Sequence, residues 1–373
     1  MLGAMSIKIG ALLMAALVVA GGCAGKEPSI GKKEKKPAGP TTLLLTDVAG
    51  ENDDSFFKAT FQGILRFYGE TWDNQRSRGI LYNTARCMGG EEYLPVMKAA
   101  CESRYWDLIL VAGFTFADAL GETAPLYPAQ KFAIIDVDWV NEPNVAQYIF
   151  AEHEGSYLAG AAAALKAAES GAEKPVFGFI GGMASSTITK FEMGYVQGVR
   201  SIIPEAEIVD FYADSWDDPE SAFRKAGEWF DSGVFAVFSA AGATGSGAIE
   251  QARAYRRRGR DVWAVGVDSD QYDVGLYAPN SSAVLTSMIK RVDTASFAAI
   301  TAVRNNAFRG SSAETLTLED EGVGFTADML SGAVLDRMRE IREGIVSKRI
   351  PVAATYGEAL AAGLAPPGLQ AAD

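Results

Sequence analysis

The feature that most constrains the fold is a long alternation of short apolar runs with amphipathic stretches, which begins at Thr41. The apolar runs are rich in Val, Ile, Leu and Phe, as is typical of strands buried in a parallel sheet. The stretches between them have helical spacing, and "DDPESAF" combines an acidic cap with a proline in the first turn. Together these patterns predict an α/β fold. Because the alternation is too long for one small sheet, we expect two Rossmann-like parallel-sheet lobes.

The residues that follow the predicted strands share a chemical character. In open α/β sheets, ligands bind beyond the carboxyl ends of the strands. These ends carry carboxylates, glycines and aromatic rings: Thr46-Asp47, Gly113-Phe114, Asp136-Val137-Asp138-Trp139, Gly181-Gly182, Gly242-Ala243 and Asp268-Ser269-Asp270. Carboxylates accept hydrogen bonds from hydroxyl and N–H donors but repel phosphates. The pattern favours a cleft for a flat ring with donor groups, such as a nucleoside, and leaves sugars and other polyols open.

The N-terminal residues are typical of an export signal. Ile9 to Ala20 form a short apolar segment, followed by "VVAGGCAGK". Small residues before Cys23 resemble a relaxed bacterial lipobox, with an ordinary secretory signal as the alternative. We expect residues 1–23 to be a lipoprotein signal peptide that ends at the lipidated Cys23. Residues 24–40 are rich in Gly, Pro and Lys, which predicts a flexible tether.

Composition excludes several functions. The net charge of −13 supplies no basic field for nucleic acid. The chain has a single histidine, His153, and no C-x-x-C, so we predict neither a metal nor a cofactor. Cys101 lies on the apolar face of a predicted helix, which favours free thiols at Cys87 and Cys101 over a disulfide.

An enzyme with a dinucleotide site is the alternative from another class. Glycines follow a strand in "VFAVFSAAGATGSGAIE", and Asp268 lies downstream. However, the glycines are spaced G-x-x-G-x-G rather than G-x-G-x-x-G, and no G-K-[ST] occurs. A Ser-His-Asp triad would have to use His153, with no serine placed near it. We therefore expect no enzymatic activity, and a purely structural lipoprotein would not need acids and rings at strand ends.

The motifs, taken in order, resemble the basic membrane protein family of nucleoside-binding lipoproteins, and within it the spirochaetal purine nucleoside receptors. The resemblance covers Leu43 to about Ile350 and includes "TDVAGENDDSF", "FAIIDVD", "EGSYLAGAAAALKAA", "GFIGGMASSTITKFEMGYVQGV", "DSGVFAVFSAAGATGSGAIEQA", "DVWAVGVDSDQY" and "VLTSMIKRVD". It implies a substrate-binding protein of an ABC transporter with the type I periplasmic-binding-protein fold. The ligand would lie between two lobes that close on it.

The resemblance also implies residue roles. Asp47 and Asn52 match polar residues that contact the base, and Phe56 matches an aromatic that stacks on it. Asp268 and Lys290 match the pair that holds the ribose hydroxyls. Asp136 matches another polar contact, and Gly242 a glycine whose backbone approaches the ligand. Further candidate ligand contacts are Phe114, Trp139 and Phe191.

The implied domain division places residues 41–150 and 271–319 in the first lobe and 151–270 and 320–362 in the second, with a disordered tail at 363–373. Hinges are expected near Phe150, Asp270 and Glu319. The implied partners are a purine nucleoside and an ABC permease, for a monomer exported and anchored through its lipid to the cell membrane, facing the periplasm.

Departures from the family pattern leave the ligand open. Asp54 and Phe57 replace a lysine and an asparagine of the common form "GGxND…KSFN", and Trp139 and Trp216 add large rings near strand ends. Riboflavin, the ligand of a related branch, is therefore the alternative.

Overall fold

The computed structural model describes residues 39–52 and 55–371. The predicted signal peptide, Cys23 and almost all of the predicted tether lie outside these residues. The strands of the described chain are β1 (Thr42–Thr46), β2 (Tyr82–Arg86), β3 (Leu108–Ala112), β4 (Lys131–Ile135), β5 (Val145–Phe150), β6 (Val176–Gly181), β7 (Glu207–Tyr212), β8 (Val234–Ala240), β9 (Trp263–Asp268), β10 (Leu276–Ala278), β11 (Ser281–Ser282), β12 (Val284–Lys290), β13 (Ser312–Leu316) and β14 (Val323–Phe325).

The helices have amphipathic or small-residue sequences, and most bury one side against a sheet. They are α1 (Phe56–Phe67), α2 (Gly90–Glu102), α3 (Ala117–Thr123), α4 (Glu152–Glu169), α5 (Ser186–Ile202), α6 (Pro219–Ser232), α7 (Ser246–Arg257), α8 (Val292–Arg304), α9 (Gly332–Val346) and α10 (Tyr356–Ala361). The predicted cap of α6 forms as expected, because the Asp218 side chain accepts a hydrogen bond from the backbone of Ser221.

Two six-stranded sheets form the two lobes, in the orders β13-β5-β4-β3-β1-β2 and β14-β12-β9-β8-β6-β7. Every pairing within them is parallel except that of β14 with β12. Strands β1, β3, β8 and β9 are buried along their whole length, which explains their continuous apolar sequences. The predicted α/β class and two-lobe periplasmic-binding-protein architecture are confirmed.

The chain passes between the sheets three times: at Ala151 between β5 and α4, at Arg291 between β12 and α8, and through residues 317–322 between β13 and β14. The first and third passages lie near Phe150 and Glu319, and the role of these two positions as hinges stays a prediction. The hinge expected near Asp270 is wrong. Strand β12 pairs with β9 and remains in the second sheet, because its apolar residues extend that sheet rather than the first. Residues 271–290 therefore belong to the second lobe.

The C-terminal segment is packed rather than disordered as far as Ala371. Ala359 and Ala365 are buried against Met193 and Val196 of α5. The backbone N–H of Gln370 donates to the Asp210 side chain. The expectation of a disordered tail is therefore wrong for residues 363–371, because Ala365, Leu369 and Ala371 pack on an apolar patch of the second lobe.

Candidate functional site

A cavity lies between the carboxyl ends of the two sheets. Eight residues predicted from the sequence line it: Asp47, Phe56, Phe114, Asp136, Phe191, Gly242, Asp268 and Lys290. The structure brings these residues together from both lobes, while their contacts with a ligand remain predictions.

Two predicted site residues are not placed in the cavity. Trp139 is 52% exposed and does not line it. The ring lies three residues beyond Asp136, where the chain has already turned outward. Asn52 ends a short 3₁₀ turn, Gly50–Asn52, and its side chain lies outside the described part of the molecule.

Three carboxylates project into the cavity from the ends of strands. Asp47 follows β1 and accepts a hydrogen bond from the Ala49 backbone at 2.9 Å. Asp136 follows β4, and Asp268 ends β9. Each of the three side chains belongs to a residue only 8% exposed. Such desolvated acceptors bind hydroxyl and N–H donors more strongly than exposed carboxylates do.

Asp136 and Asp268 share an unusual backbone. Their φ angles are +70° and +64°, in the left-handed region that non-glycine residues seldom occupy. Aspartate is among the residues that tolerate this conformation. Strained residues of this kind concentrate at functional sites. The turn directs the chain away from each sheet directly after the strand, and leaves both carboxylates at the cleft.

Lys290 is the cation of the cavity. It ends β12, and its side chain is only 1% exposed. Its ammonium lies 2.6 Å from Asp136 and 3.0 Å from Glu152. Burial alone would lower the pKa of Lys290, but Asp136, Glu152 and Asp268 together raise it above its usual value. Lys290 is therefore a permanent cation at physiological pH.

The same charged neighbours also shift the pKa of Asp136. Burial raises the pKa of its carboxyl, the Lys290 ammonium lowers it, and the nearby Glu152 raises it again. The net direction is upward, because the cost of burying the charged carboxylate outweighs the attraction of the ammonium. Lys290 is therefore the partner that favours the charged form of Asp136.

Aromatic rings form the remaining walls. Phe56 opens α1, and Phe57 packs against it edge-on with centroids 5.4 Å apart. Phe57 is buried in the core of the lobe, although it also touches the cavity. Trp216, on the second lobe, meets Phe114 of the first lobe edge-on at 6.0 Å. The cavity is thus bounded by rings from both lobes.

Trp216 is the main site residue that sequence reasoning did not assign. Its large ring stands out in "ADSWDD", but it lies four residues beyond β7. Two glycines make room for it: a Cβ on Gly182 would overlap the indole, and one on Gly242 would come within 3.5 Å of it. The glycines after β6 and β8 were the available signal, since they indicate that something approaches closely there.

Hydrogen bonds and ion pairs connect the lobes across the cavity. The Ser55 hydroxyl, preceding α1 in the first lobe, donates to Asp268 of the second at 3.0 Å. Asp136 of the first lobe binds Lys290 of the second. Both bridges form only when the lobes are close together, so the site is assembled by closure.

His153, Cys87 and Cys101 do not line the cavity. No group of His, Cys, Asp and Glu among the described residues could hold a metal ion. Cys87 and Cys101 are buried free thiols, as expected, and burial raises the pKa of each to about 11. His153 lies on α4, where burial lowers its pKa. None of the helices in the described chain is long and apolar enough to cross a membrane.

Comparison with known proteins agrees with this geometry. Residues 41–356 match the Bmp family model, described as "ABC transporter substrate-binding protein PnrA-like". The ABC transporter nucleoside-binding protein BmpA of Lactococcus lactis is 30% identical over 353 residues, covering 93% of this chain and 98% of that protein. The CD4+ T-cell-stimulating antigen of Listeria innocua is 31% identical over 350 residues, covering 91% of this chain and 96% of that protein.

A solved structure shows the same fold. An ABC transporter solute-binding protein from Aeropyrum pernix K1 superposes with a TM-score of 0.74 at 25% identity, covering 87% of this chain and 98% of that one. The predicted resemblance is confirmed, and with it the expectation of a binding protein rather than an enzyme. The chain belongs to the Bmp family of ABC transporter substrate-binding proteins.

Proposed function

We propose that the protein captures a purine nucleoside in the cavity between its lobes and presents it to an ABC permease. The observation that carries the proposal is the combination lining one cavity: aromatic rings on both lobes, three buried carboxylates and one buried ammonium. A purine can stack on Phe56 and Trp216, while base N–H groups and ribose hydroxyls donate to the carboxylates.

The charges favour a nucleoside over a nucleotide. Among the described residues that line the cavity, a phosphate would meet three carboxylates, Asp47, Asp136 and Asp268, and one cation, Lys290. That cation is already engaged by two carboxylates. Because like charges at close range in a buried site are strongly unfavourable, we expect the corresponding monophosphates to bind far more weakly.

Export and anchoring complete the proposal. Cys23 would carry the lipid, and the flexible tether would hold a monomer at the cell membrane, facing the periplasm. Relatives from Pyrococcus are named as lipoproteins, which supports this placement. The permease would recognise the form in which both lobes have closed on the ligand.

Identification of the natural ligand tests the proposal. The purified protein is denatured, and any released compound is identified by chromatography and mass. A purine nucleoside is the expected result, and its monophosphate should then fail to compete in titrations. A yellow preparation that releases a flavin would assign riboflavin instead. If nothing is released, titrations with inosine, guanosine, adenosine and riboflavin decide between the same alternatives.

A further inference from the structure

Lys290 has a second buried carboxylate partner besides Asp136, the side chain of Glu152. Glu152 is the first residue of α4, directly after the passage at Ala151. Its side chain is 1% exposed and does not line the cavity. One carboxylate oxygen lies 3.0 Å from the Lys290 ammonium, and the other lies 3.6 Å from that of Lys190 on α5. A buried carboxylate needs such partners, because an unpaired charge in the protein interior is strongly unfavourable.

Lys290 needs a fixed partner to present its charge to a ligand. A lysine side chain has a long flexible stem, and its ammonium is a point charge with no preferred plane. Three rings surround this ammonium, with the centroids of Phe56, Phe150 and Phe191 at 5.4, 5.1 and 5.4 Å. Rings stabilise a cation but do not fix its position as a carboxylate does.

The two carboxylates that bind Lys290 belong to different lobes. Asp136 follows β4 of the first lobe, so its bond to Lys290 crosses the cleft and depends on closure. Glu152 belongs to α4, which packs against β12, the strand that ends in Lys290. Lobe movement therefore leaves the Glu152–Lys290 pair intact, and Glu152 is the partner that Lys290 keeps in the open state.

We propose that Glu152 is a positioning residue of the ligand site: through their ion pair, it holds the Lys290 ammonium in place and charged, ready for the ligand's hydroxyl groups. This inference rests on the proposed function only in taking the cleft as the ligand site. Glu152 lies behind the cavity wall and acts on a ligand only through Lys290.

The surrounding charges define how the pair responds to pH. Lys290 faces Asp136 after β4, Glu152 on α4 and Asp268 on β9, and these carboxylates raise its pKa against the opposite effect of burial. Glu152 in turn faces Lys190 on α5. The Glu152 carboxylate also raises the pKa of the adjacent His153, which burial lowers by a larger amount. Removing the charge of Glu152 leaves Lys290 with fewer carboxylates, so its pKa must fall.

Glu152→Gln tests this directly in the full chain, because the amide keeps the size and one acceptor oxygen. In the ligand-free protein, the rate at which the Lys290 ammonium protons exchange with water is measured by NMR from the nitrogen resonance of that side chain. The resonance is assigned as the one that disappears in Lys290→Arg. We expect this exchange to be at least about tenfold faster in Glu152→Gln, since exchange requires deprotonation. This readout does not depend on the identity of the ligand.

Binding provides the second readout, with the nucleoside that the wild-type protein binds. We expect Glu152→Gln to weaken affinity about tenfold or more at neutral pH. Towards about pH 10 it should lose more affinity than the wild-type protein does, because any titration of the nucleoside itself affects both proteins equally. Glu152→Asp keeps the charge, so its affinity should lie between those of the wild-type protein and Glu152→Gln. It also serves as the test protein if Glu152→Gln does not fold.

Glu154→Gln is the matched control. Glu154 is a buried glutamate two residues along α4, but it accepts from the Leu318 backbone at 2.9 Å and binds Lys348 at 3.1 Å instead of Lys290. It should leave the exchange rate and the pH profile unchanged. The proposal is overturned if Glu152→Gln leaves both unchanged, or if Glu154→Gln alters them equally. A wild-type protein that binds no nucleoside would refute the proposed function, while the exchange rates would still decide the role of Glu152.

Discussion

At the scale of single residues, the identity of the cleft carboxylates could be read from the sequence, but their backbone could not. Asp47, Asp136 and Asp268 follow recognisable buried strands. Nothing local indicates that the latter two adopt positive φ. The depth of Lys290 was also hidden, because its burial depends on Glu152, which is distant in sequence. Local patterns predict strand ends, whereas charge pairing is decided by the tertiary fold.

The two tryptophans provide a matched test of the ring-binding wall. Trp216→Ala should weaken nucleoside affinity about 10- to 100-fold, because stacking on one ring is worth roughly 1–3 kcal/mol per base. Trp139→Ala should leave affinity unchanged, since that ring is exposed outside the cavity. Calorimetric titration of both variants measures the difference. Equal losses, or none for Trp216→Ala, would remove Trp216 from the site.

Glu192 gives a prediction about pH and stability. Burial raises its pKa to about 8; a hydrogen bond from Tyr212 opposes the shift, and Asp210 adds to it. The folded protein therefore holds a proton that the unfolded chain releases above about pH 4.5, so the free energy of unfolding falls as pH rises from there to about 8.

Glu192→Gln removes this dependence because the amide stays neutral. We expect its free energy of unfolding to exceed that of the wild-type protein by at least ~1 kcal/mol at pH 9, and the advantage to shrink towards pH 5. Denaturant unfolding at both pH values measures it, with exposed Glu343→Gln as control. Stability curves of wild type and Glu192→Gln that run parallel with pH would contradict the assignment.

At the scale of elements, long periodic segments were predicted well and short polar ones were not. The helix start predicted from "DDPESAF" is confirmed, because α6 begins at Pro219 and continues to Ser232. Strand β13 was missed, because "SAETL" is mostly exposed and has no apolar pattern. It is nevertheless a strand, because it pairs in parallel with β5. The same dependence on pairing explains why β12 was assigned to the wrong lobe.

Helix α4 is lined with small residues and packs closely on α5. Helices α4 and α5 meet at Gly160, Gly194 and Gly198, where a Cβ would overlap the backbone of the opposite helix. Gly198→Ala should lower the free energy of unfolding by about 1–3 kcal/mol through overpacking.

Gly121→Ala is the control for that contact. Gly121 lies in α3, and a Cβ added to it would meet no atom within 4 Å, so alanine should raise the free energy of unfolding by roughly 0.5–1 kcal/mol. Urea unfolding of both variants measures the pair. A neutral or stabilising Gly198→Ala would show that α4 and α5 are less closely packed than these contacts require.

At the scale of the whole molecule, side chains join the two lobes across the cleft. Ser55 and Asp136 on the first lobe reach Asp268 and Lys290 on the second, and a ligand between them would add bonds to both sides. A ligand that contacts both lobes stabilises the closed state by its difference in affinity for the two states. The two-lobe architecture could be predicted from alternation alone, but the cross-lobe pairs required the three-dimensional structure.

The central claim is that this cleft binds a purine nucleoside through its desolvated carboxylates, and one calorimetric titration tests it most directly. Asp268→Asn removes the charge while keeping a residue that tolerates positive φ. Asp270→Asn is the control, because Asp270 lies two residues after Asp268 and is exposed to solvent. With inosine or guanosine, we predict tight binding to wild type and Asp270→Asn, and about tenfold or greater weakening in Asp268→Asn. Absence of binding to the wild-type protein, or equal affinity in all three, would contradict the claim.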